Sequence, residues 1–190
     1  MKRNGNSAVL LVALAFCGAF VPLAPATEPN RLTEKATFSA GCFWGVEAAF
    51  RQVKGVTDTV VGYMGGTLKN PSYEDVTTHS TGHMEVCQIT YDPAHISYEK
   101  LVAVFFKLHN PTSFNPAGHD LASQYRSVIF FHTPEQEKVA GAVRDRLQAS
   151  GKFEQPIAAA VVPATEFWRA EEYHQRYAEK RNLPSCSITP

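Results

Sequence analysis

The chain has 190 residues, with 18 basic and 18 acidic side chains, 19% charged residues and 44% hydrophobic residues. That length predicts one domain with room for a short extra segment, and the composition excludes a disordered or collagen-like chain. A formal charge of zero gives no electrostatic footing for nucleic acid or an anionic membrane, and four cysteines are too few to staple a miniature fold.

The N-terminus differs in kind from the rest. Lys2 and Arg3 precede an almost wholly apolar stretch over residues 8–21, which Pro22 ends before Ala24-Pro25-Ala26. A basic start, a short apolar run and an A-x-A site form the pattern of a secretory signal, and the run falls short of the ~20 residues of a membrane span. The expectation is a signal peptide over residues 1–26, cut after Ala26, and a single domain over 27–190. An uncleaved anchor is the alternative. The mature protein would be exported, periplasmic or secreted, with no stable membrane insertion. Cleavage removes Cys17 and leaves 164 residues with a formal charge of −2. Bulky Phe16, just before Cys17, argues against a lipid attachment site. Cys42, Cys87 and Cys186 remain, an odd count that leaves at least one thiol over or cycling.

After a polar lead-in over 27–35, residues 36–40 read as a strand. Residues 44–52 read as a helix, with Val46, Ala49, Phe50 and Val53 at helical spacing. Residues 56–63 are rich in β-branched side chains and stop at Gly65-Gly66, as a strand before a turn would. Residues 72–78 suit a short helix or turn, and 83–91 a strand ended by Asp92-Pro93. The clearest amphipathic helix spans 97–109, capped by Ser97, with Leu101, Val104, Phe105 and Leu108 on one side. Residues 110–124, with Pro111, Pro116 and Gly118, form a long irregular loop of the kind that often carries function.

A strand at 127–132 is followed by a helix that Thr133 caps, with Pro134 first, Gln136 completing a capping box, and Val139, Val143 and Leu147 as its buried stripe. The apolar run 157–162 suits a strand covered on at least one face, 170–181 a last helix, and 182–190 a loose end. This near alternation predicts a two-layer α/β sandwich, helices packed on a mixed sheet.

Gly41-Cys42-Phe43-Trp44-Gly45 puts a cysteine where a strand turns into a helix. There the first helical N–H groups favour thiolate, so Cys42 is a candidate nucleophile, while a buried inert cysteine beside two core aromatics is the bland alternative. Cys186, among residues too small to bury it, is either a thiol that resolves a sulfenic acid on Cys42 or half of a static disulfide. Cys87, mid-strand, reads as packing. His79, His83 and Cys87 are spaced by four, but along a strand that covers about 13 Å per step, too far for one metal ion. Glu85 sits on the solvated face or in a cleft with equal ease; in a cleft, desolvation would make it a proton donor. Tyr73 and Tyr125 are hydroxyl donors or simply amphipathic packing. A cysteine hydrolase with a histidine base, and a secreted binding domain with an aromatic groove, are the competing functional classes.

Taken together, the motifs resemble the peptide methionine sulfoxide reductase A family. Besides Gly41 to Gly45 they comprise Val61-Gly62-Tyr63-Met64-Gly65-Gly66, Asn70-Pro71-Ser72-Tyr73-Glu74-Asp75-Val76, Gly82-His83-Met84-Glu85-Val86, Ile89-Thr90-Tyr91-Asp92-Pro93, His109-Asn110-Pro111-Thr112, Gln124-Tyr125-Arg126-Ser127 and Glu172-Tyr173-His174-Gln175. The resemblance implies a fold related to the ferredoxin-like plait, with an irregular C-terminal tail. It implies Cys42 as the nucleophile, Glu85 as the acid, Cys186 as the recycling cysteine, Phe43 and Trp44 as the wall for the substrate methyl group, and Tyr73, Tyr125 and Asp120 as its polar contacts. It also implies a monomer with no metal or bound cofactor, acting on methionine-S-sulfoxide in oxidised proteins or peptides and regenerated by a thioredoxin-type dithiol. Asn110, His119 and Ala122-Ser123 depart from the family's usual residues, and the tail has one cysteine where many relatives have two.

Overall fold

The computed structural model describes residues 32–112 and 124–183. The expected signal segment, Asp120, His119, Ala122 and Cys186 therefore lie outside the described residues. The expected polar lead-in already contributes its end to the first strand, β1 (Glu34–Ala40), which starts two residues early because Glu34 and Lys35 pair with Tyr91 and Thr90. The chain continues through α1 (Phe43–Phe50), β2 (Val56–Met64), α2 (Tyr73–Thr77), β3 (Met84–Tyr91) and α3 (Tyr98–Leu108). Then come β4 (Ser127–Phe131), α4 (Pro134–Ala149), β5 (Ala160–Pro163), β6 (Trp168–Arg169), a 3-10 turn over Glu172–His174, and α5 (Tyr177–Lys180).

Hydroxyl side chains start α2, α3 and α4, at Ser97 and Thr133 as their sequence suggested and at Ser72 without such an expectation. Ser72 and Asp75 satisfy each other's backbone N–H at α2, and the Ser97 hydroxyl accepts from Lys100 N–H at α3. At α4 the Thr133 hydroxyl accepts from Gln136 N–H, but Gln136 does not close the box. Its Oε1 takes the N–H of His132 at 2.9 Å, and its Nε2 donates to Lys35 O at 2.7 Å, so the amide ties α4 to β1 instead.

The six strands form one mixed sheet in the order β5-β4-β1-β3-β2-β6, with every pair antiparallel except β4 and β5. Alternation sends Phe38, Tyr63, Glu85, Cys87 and Ile129 toward the helices. Phe38 stacks between Phe50 of α1 and Phe105 of α3, at centroid distances of 5.2 and 5.3 Å. Removing a buried ring of this kind costs about 3–5 kcal/mol. Cys87 is fully buried in this layer, and burial holds its thiol well above the usual range. Met64, Met84, Val86, Val128 and Phe130 form a second cluster on the opposite face, covered by Val162, Ala164 and Phe167.

Two elements differ from expectation near the C-terminus. The strand expected at 157–162 begins three residues later, and the two-residue β6 at the far edge has no sequence signature of its own. The expected helix over 170–181 is broken in two. His174 turns into the core, Gln175 pairs with strand β2, and Arg176 adopts φ 52°, a left-handed conformation that no continuous helix contains.

The β2–β3 connection packs closely over His83. Its Nδ1 accepts from Gly66 N–H at 3.1 Å and its Nε2 donates to Leu68 O at 2.7 Å, so both ring nitrogens are used in shaping the turn rather than in holding a metal. A Cβ on Gly66 would lie 2.4 Å from that ring and 2.5 Å from His83 N. Gly66→Ala is expected to lower stability by about 2–3 kcal/mol, read as a lower urea midpoint with an unchanged slope.

Candidate active site

Cys42 occupies the N-cap of α1, its side chain exposed, directly after Gly41 turns the chain out of β1 with φ +91°. A side chain at Gly41 would be strained by that angle. The first helical N–H, that of Phe43, points at Glu85 on the neighbouring β3 and donates to Oε2 at 3.0 Å. Helix start and strand thus bring the thiol and the carboxyl to one place.

Register decides what alternation alone left open for Glu85. It pairs with Tyr63 across β2 and β3, faces the helices and is 1% exposed. Burial pushes its carboxyl up to about 7, against the opposing pull of the Phe43 N–H. Its own N–H donates to Gln124 O at 2.9 Å, which draws the turn at Tyr125 alongside. Arg126 fastens that turn by donating from Nη2 to Gly82 O at 3.1 Å. Burial, then the charges of Glu85, Tyr73 and Cys42, raise the Tyr125 hydroxyl to about 12. The Tyr73 hydroxyl is also raised, by burial and then by Glu85 and Cys42. Both phenols are therefore firm donors beside the acid and the sulfur.

An aromatic wall adjoins them. The Phe43 ring lies 6.0 Å from Tyr63 and 5.0 Å from His174. Trp44 donates from Nε1 to His174 Nδ1 at 2.9 Å and stacks on Tyr177 at 3.6 Å and 4°. His174 also lies 4.6 Å from Tyr73 and 4.1 Å from Tyr173. Because Nδ1 accepts from the indole and burial lowers the ring's basicity, His174 is a neutral positioning group and unsuited to act as the base of a hydrolase.

The segment that supplies His174 is pinned at several points. Gln175 accepts from Val61 N–H at 3.0 Å and donates to Val61 O and Ala170 O. Glu171 accepts from the Tyr63 hydroxyl at 2.9 Å and from Tyr73 N–H at 2.8 Å; these bonds outweigh its burial and hold it below the usual carboxylate range. Glu47, buried on α1, accepts from Arg176 N–H at 2.8 Å and from the Thr59 hydroxyl at 3.2 Å; burial raises its carboxyl despite them.

Cys42, Phe43, Trp44, Tyr73, Glu85 and Tyr125, all named from the sequence, therefore converge, while Asp120 and Cys186 lie outside the described residues. Sequence reasoning missed the supporting set of Tyr63, Glu171, His174, Gln175 and Tyr177. The Glu172-Tyr173-His174-Gln175 motif had marked the place without indicating a role.

An exposed thiol at a helix start, a buried carboxyl raised to about 7 and an aromatic wall thus lie together on one side of an α/β sheet. The comparisons specify the class. The chain matches the family described as "Peptide methionine sulfoxide reductase" over residues 34–190. It is 59% identical over 154 residues to "Peptide methionine sulfoxide reductase MsrA" of Acidobacterium capsulatum, covering 81% of this chain and 99% of that one. Among solved structures it is similar to Mxr1 from Saccharomyces cerevisiae in reduced form, with TM-score 0.73, 30% identity, and 86% and 93% of the two chains covered. Mxr1 in complex with Trx2 also matches, with TM-score 0.57, 25% identity, and coverage of 86% and 94%. The chain belongs to the peptide methionine sulfoxide reductase MsrA family, and it is an enzyme that reduces methionine sulfoxide.

Proposed function

We propose that the protein reduces the S-epimer of methionine sulfoxide through Cys42 and Glu85. The observation that carries this reading is the Phe43 N–H···Glu85 bond, which fixes a carboxyl raised to about 7 beside the exposed thiol at the start of α1. The Cys42 thiolate attacks the sulfoxide sulfur while Glu85 protonates the oxygen, and the Tyr73 and Tyr125 hydroxyls donate to that oxygen as its charge grows. Phe43 and Trp44 receive the S-methyl group. Collapse releases methionine and leaves the oxygen on Cys42 as a sulfenic acid. Asp120 adds a polar contact in the same pocket, and Cys186 condenses with the sulfenic acid to give a disulfide and water.

A thioredoxin-type dithiol then reduces that disulfide, a reading supported by the related Mxr1 having been solved with Trx2. We also propose export as a monomer after cleavage at Ala26, supported by the basic start, apolar run and Ala24-Pro25-Ala26 of the N-terminus. The plait reading of the fold draws support from the strand order β4-β1-β3-β2, with α1 joining β1 to β2 and α3 joining β3 to β4.

Single-turnover reaction of the reduced enzyme with each separated sulfoxide epimer tests the reading. One equivalent of methionine and the loss of two thiols are expected with the S-epimer alone. Equal yields from both epimers would overturn the stereochemical assignment, and no loss of thiols would overturn the role of Cys186.

A further inference from the structure

Tyr173 stands at the outer end of the aromatic wall. Its ring lies 4.1 Å from that of His174, which in turn lies 4.6 Å from Tyr73 and 5.0 Å from Phe43. Phe43 and His174 are each 1% exposed, whereas Tyr173 is 54% exposed, and its hydroxyl makes no hydrogen bond among the described residues. Burial is therefore not what holds a tyrosine at this position. An aromatic ring half in water at the edge of a reaction site is a surface on which part of a second molecule can lie.

Two acids act on that ring. After burial, the charge of Glu171 and then that of Glu74 raise the Tyr173 hydroxyl. The Glu171 carboxylate is already engaged by the Tyr63 hydroxyl and the Tyr73 N–H. Glu74 is different. It follows Tyr73 on α2, is exposed, and has a carboxylate with no ion pair or hydrogen bond among the described residues. Glu172, the residue before Tyr173, is by contrast matched by Arg169 at 2.7 Å and Lys180 at 3.1 Å. The unmatched charge beside the exposed ring is thus negative.

A peptide substrate brings more to the site than its sulfoxide. The Cα atoms on either side of the oxidised methionine lie about 3.8 Å from its own. The rings of Tyr73 and Tyr173 both lie within 5 Å of His174. With the sulfoxide against Phe43, Trp44 and Tyr73, a long side chain from the neighbouring residue has the Tyr173 ring within reach. A cation suits both features, because the face of a tyrosine ring attracts positive charge and Glu74 supplies a counter-charge. An acidic neighbour would meet two carboxylates.

Resting on the proposed seating of the sulfoxide, we infer that Tyr173 and Glu74 form a subsite for a lysine or arginine side chain next to the oxidised methionine of a peptide. Tyr173 supplies the surface beneath the cation and Glu74 the charge beside it, so the enzyme favours methionine sulfoxide in basic surroundings over acidic ones.

The test compares kcat/KM for blocked peptides of methionine-S-sulfoxide that differ only in carrying lysine, alanine or glutamate on one or the other side of it. N-acetylmethionine-S-sulfoxide, which has no neighbouring side chain, is the reference substrate. At low ionic strength the parent enzyme should prefer lysine to glutamate by about fivefold or more on at least one side, and added salt should shrink that ratio. Tyr173→Leu should reduce the ratio to less than about twofold, and Glu74→Lys should reverse it, while each keeps the rate on the reference substrate within about threefold and so reports a folded site. Equal rates with lysine and glutamate peptides in the parent would overturn the inference. So would a Tyr173→Leu variant that loses the same factor on every substrate with the ratio intact, which would make the ring a brace for His174 alone. Failure of the parent to reduce N-acetylmethionine-S-sulfoxide would instead remove the catalytic reading beneath it.

Discussion

Cys42→Ser is expected to abolish methionine sulfoxide reduction, with a loss of at least about 10³-fold in single turnover, while making the protein more stable. Both effects follow from the N-cap of α1. Attack on sulfur needs an anionic, polarisable nucleophile, and a hydroxyl stays protonated where a thiol can ionise. Yet the Cys42 side chain makes no capping hydrogen bond, and serine is among the residues best able to supply one. The serine hydroxyl would accept from a first-turn N–H and add about 0.5–1 kcal/mol. Methionine release by chromatography and the urea midpoint check the two halves of the prediction. Retained turnover would sink the role of Cys42; an unchanged midpoint would show that the helix start does not accommodate the cap.

Glu85→Gln is expected to slow turnover by about 10²–10⁴-fold and to remove one limb of the pH profile. The amide can still accept from Phe43 N–H, so local geometry is kept while the transferable proton is lost. In the parent enzyme the acid is protonated below about 7, so the rate of the sulfoxide step falls as pH rises through that value. The variant's residual rate should not share that fall.

Stability changes in the same sense. Burial raises this carboxyl from 4.5 to about 7. The folded state therefore prefers the protonated form, and stability is fully present below 4.5 and is lost as pH rises through about 7. The loss amounts to about 3 kcal/mol at most. Between pH 5 and pH 8 the parent should lose stability relative to the glutamine variant. Parallel urea midpoints for the two proteins across that range would refute the burial argument.

The part of the fold legible in the sequence was the part made by local chemistry. Ser97 and Thr133 start helices because short hydroxyls satisfy backbone N–H groups within their own turn, and β1, β2 and β3 carry the apolar content of strands. The site's centre was legible for the same reason, since a cysteine between a strand and a helix lies at a helix start whatever packs around it. The face taken by Glu85 was not legible. Alternation fixes that it opposes Val86 but not which of them meets the helices; the pairing of Tyr63 with Glu85 and the bond from Phe43 decide it.

The C-terminal third diverged most because partners distant in sequence shape it. Residues 170–181 have helical composition, yet the buried amide of Gln175 gains three hydrogen bonds with Val61 and Ala170 by leaving the helix, and Glu47 takes the N–H of Arg176. Nothing within those twelve residues announces that choice. His174 was overlooked for a related reason: its function depends on Trp44, 130 positions earlier.

The pinning of that late segment also sets when the enzyme becomes competent. The central strands β1 to β4 and helix α1, which carry the thiol and the acid, are complete in sequence by Phe131. Trp44 then lacks both the ring nitrogen that receives its indole N–H and the ring against which it lies, because His174 and Tyr177 follow some forty residues later. A nascent chain therefore has Cys42, Glu85 and the Phe43 and Trp44 rings before the groups that hold Trp44 in place, and that support is added last, as residues 171–177 dock against β2 and α1.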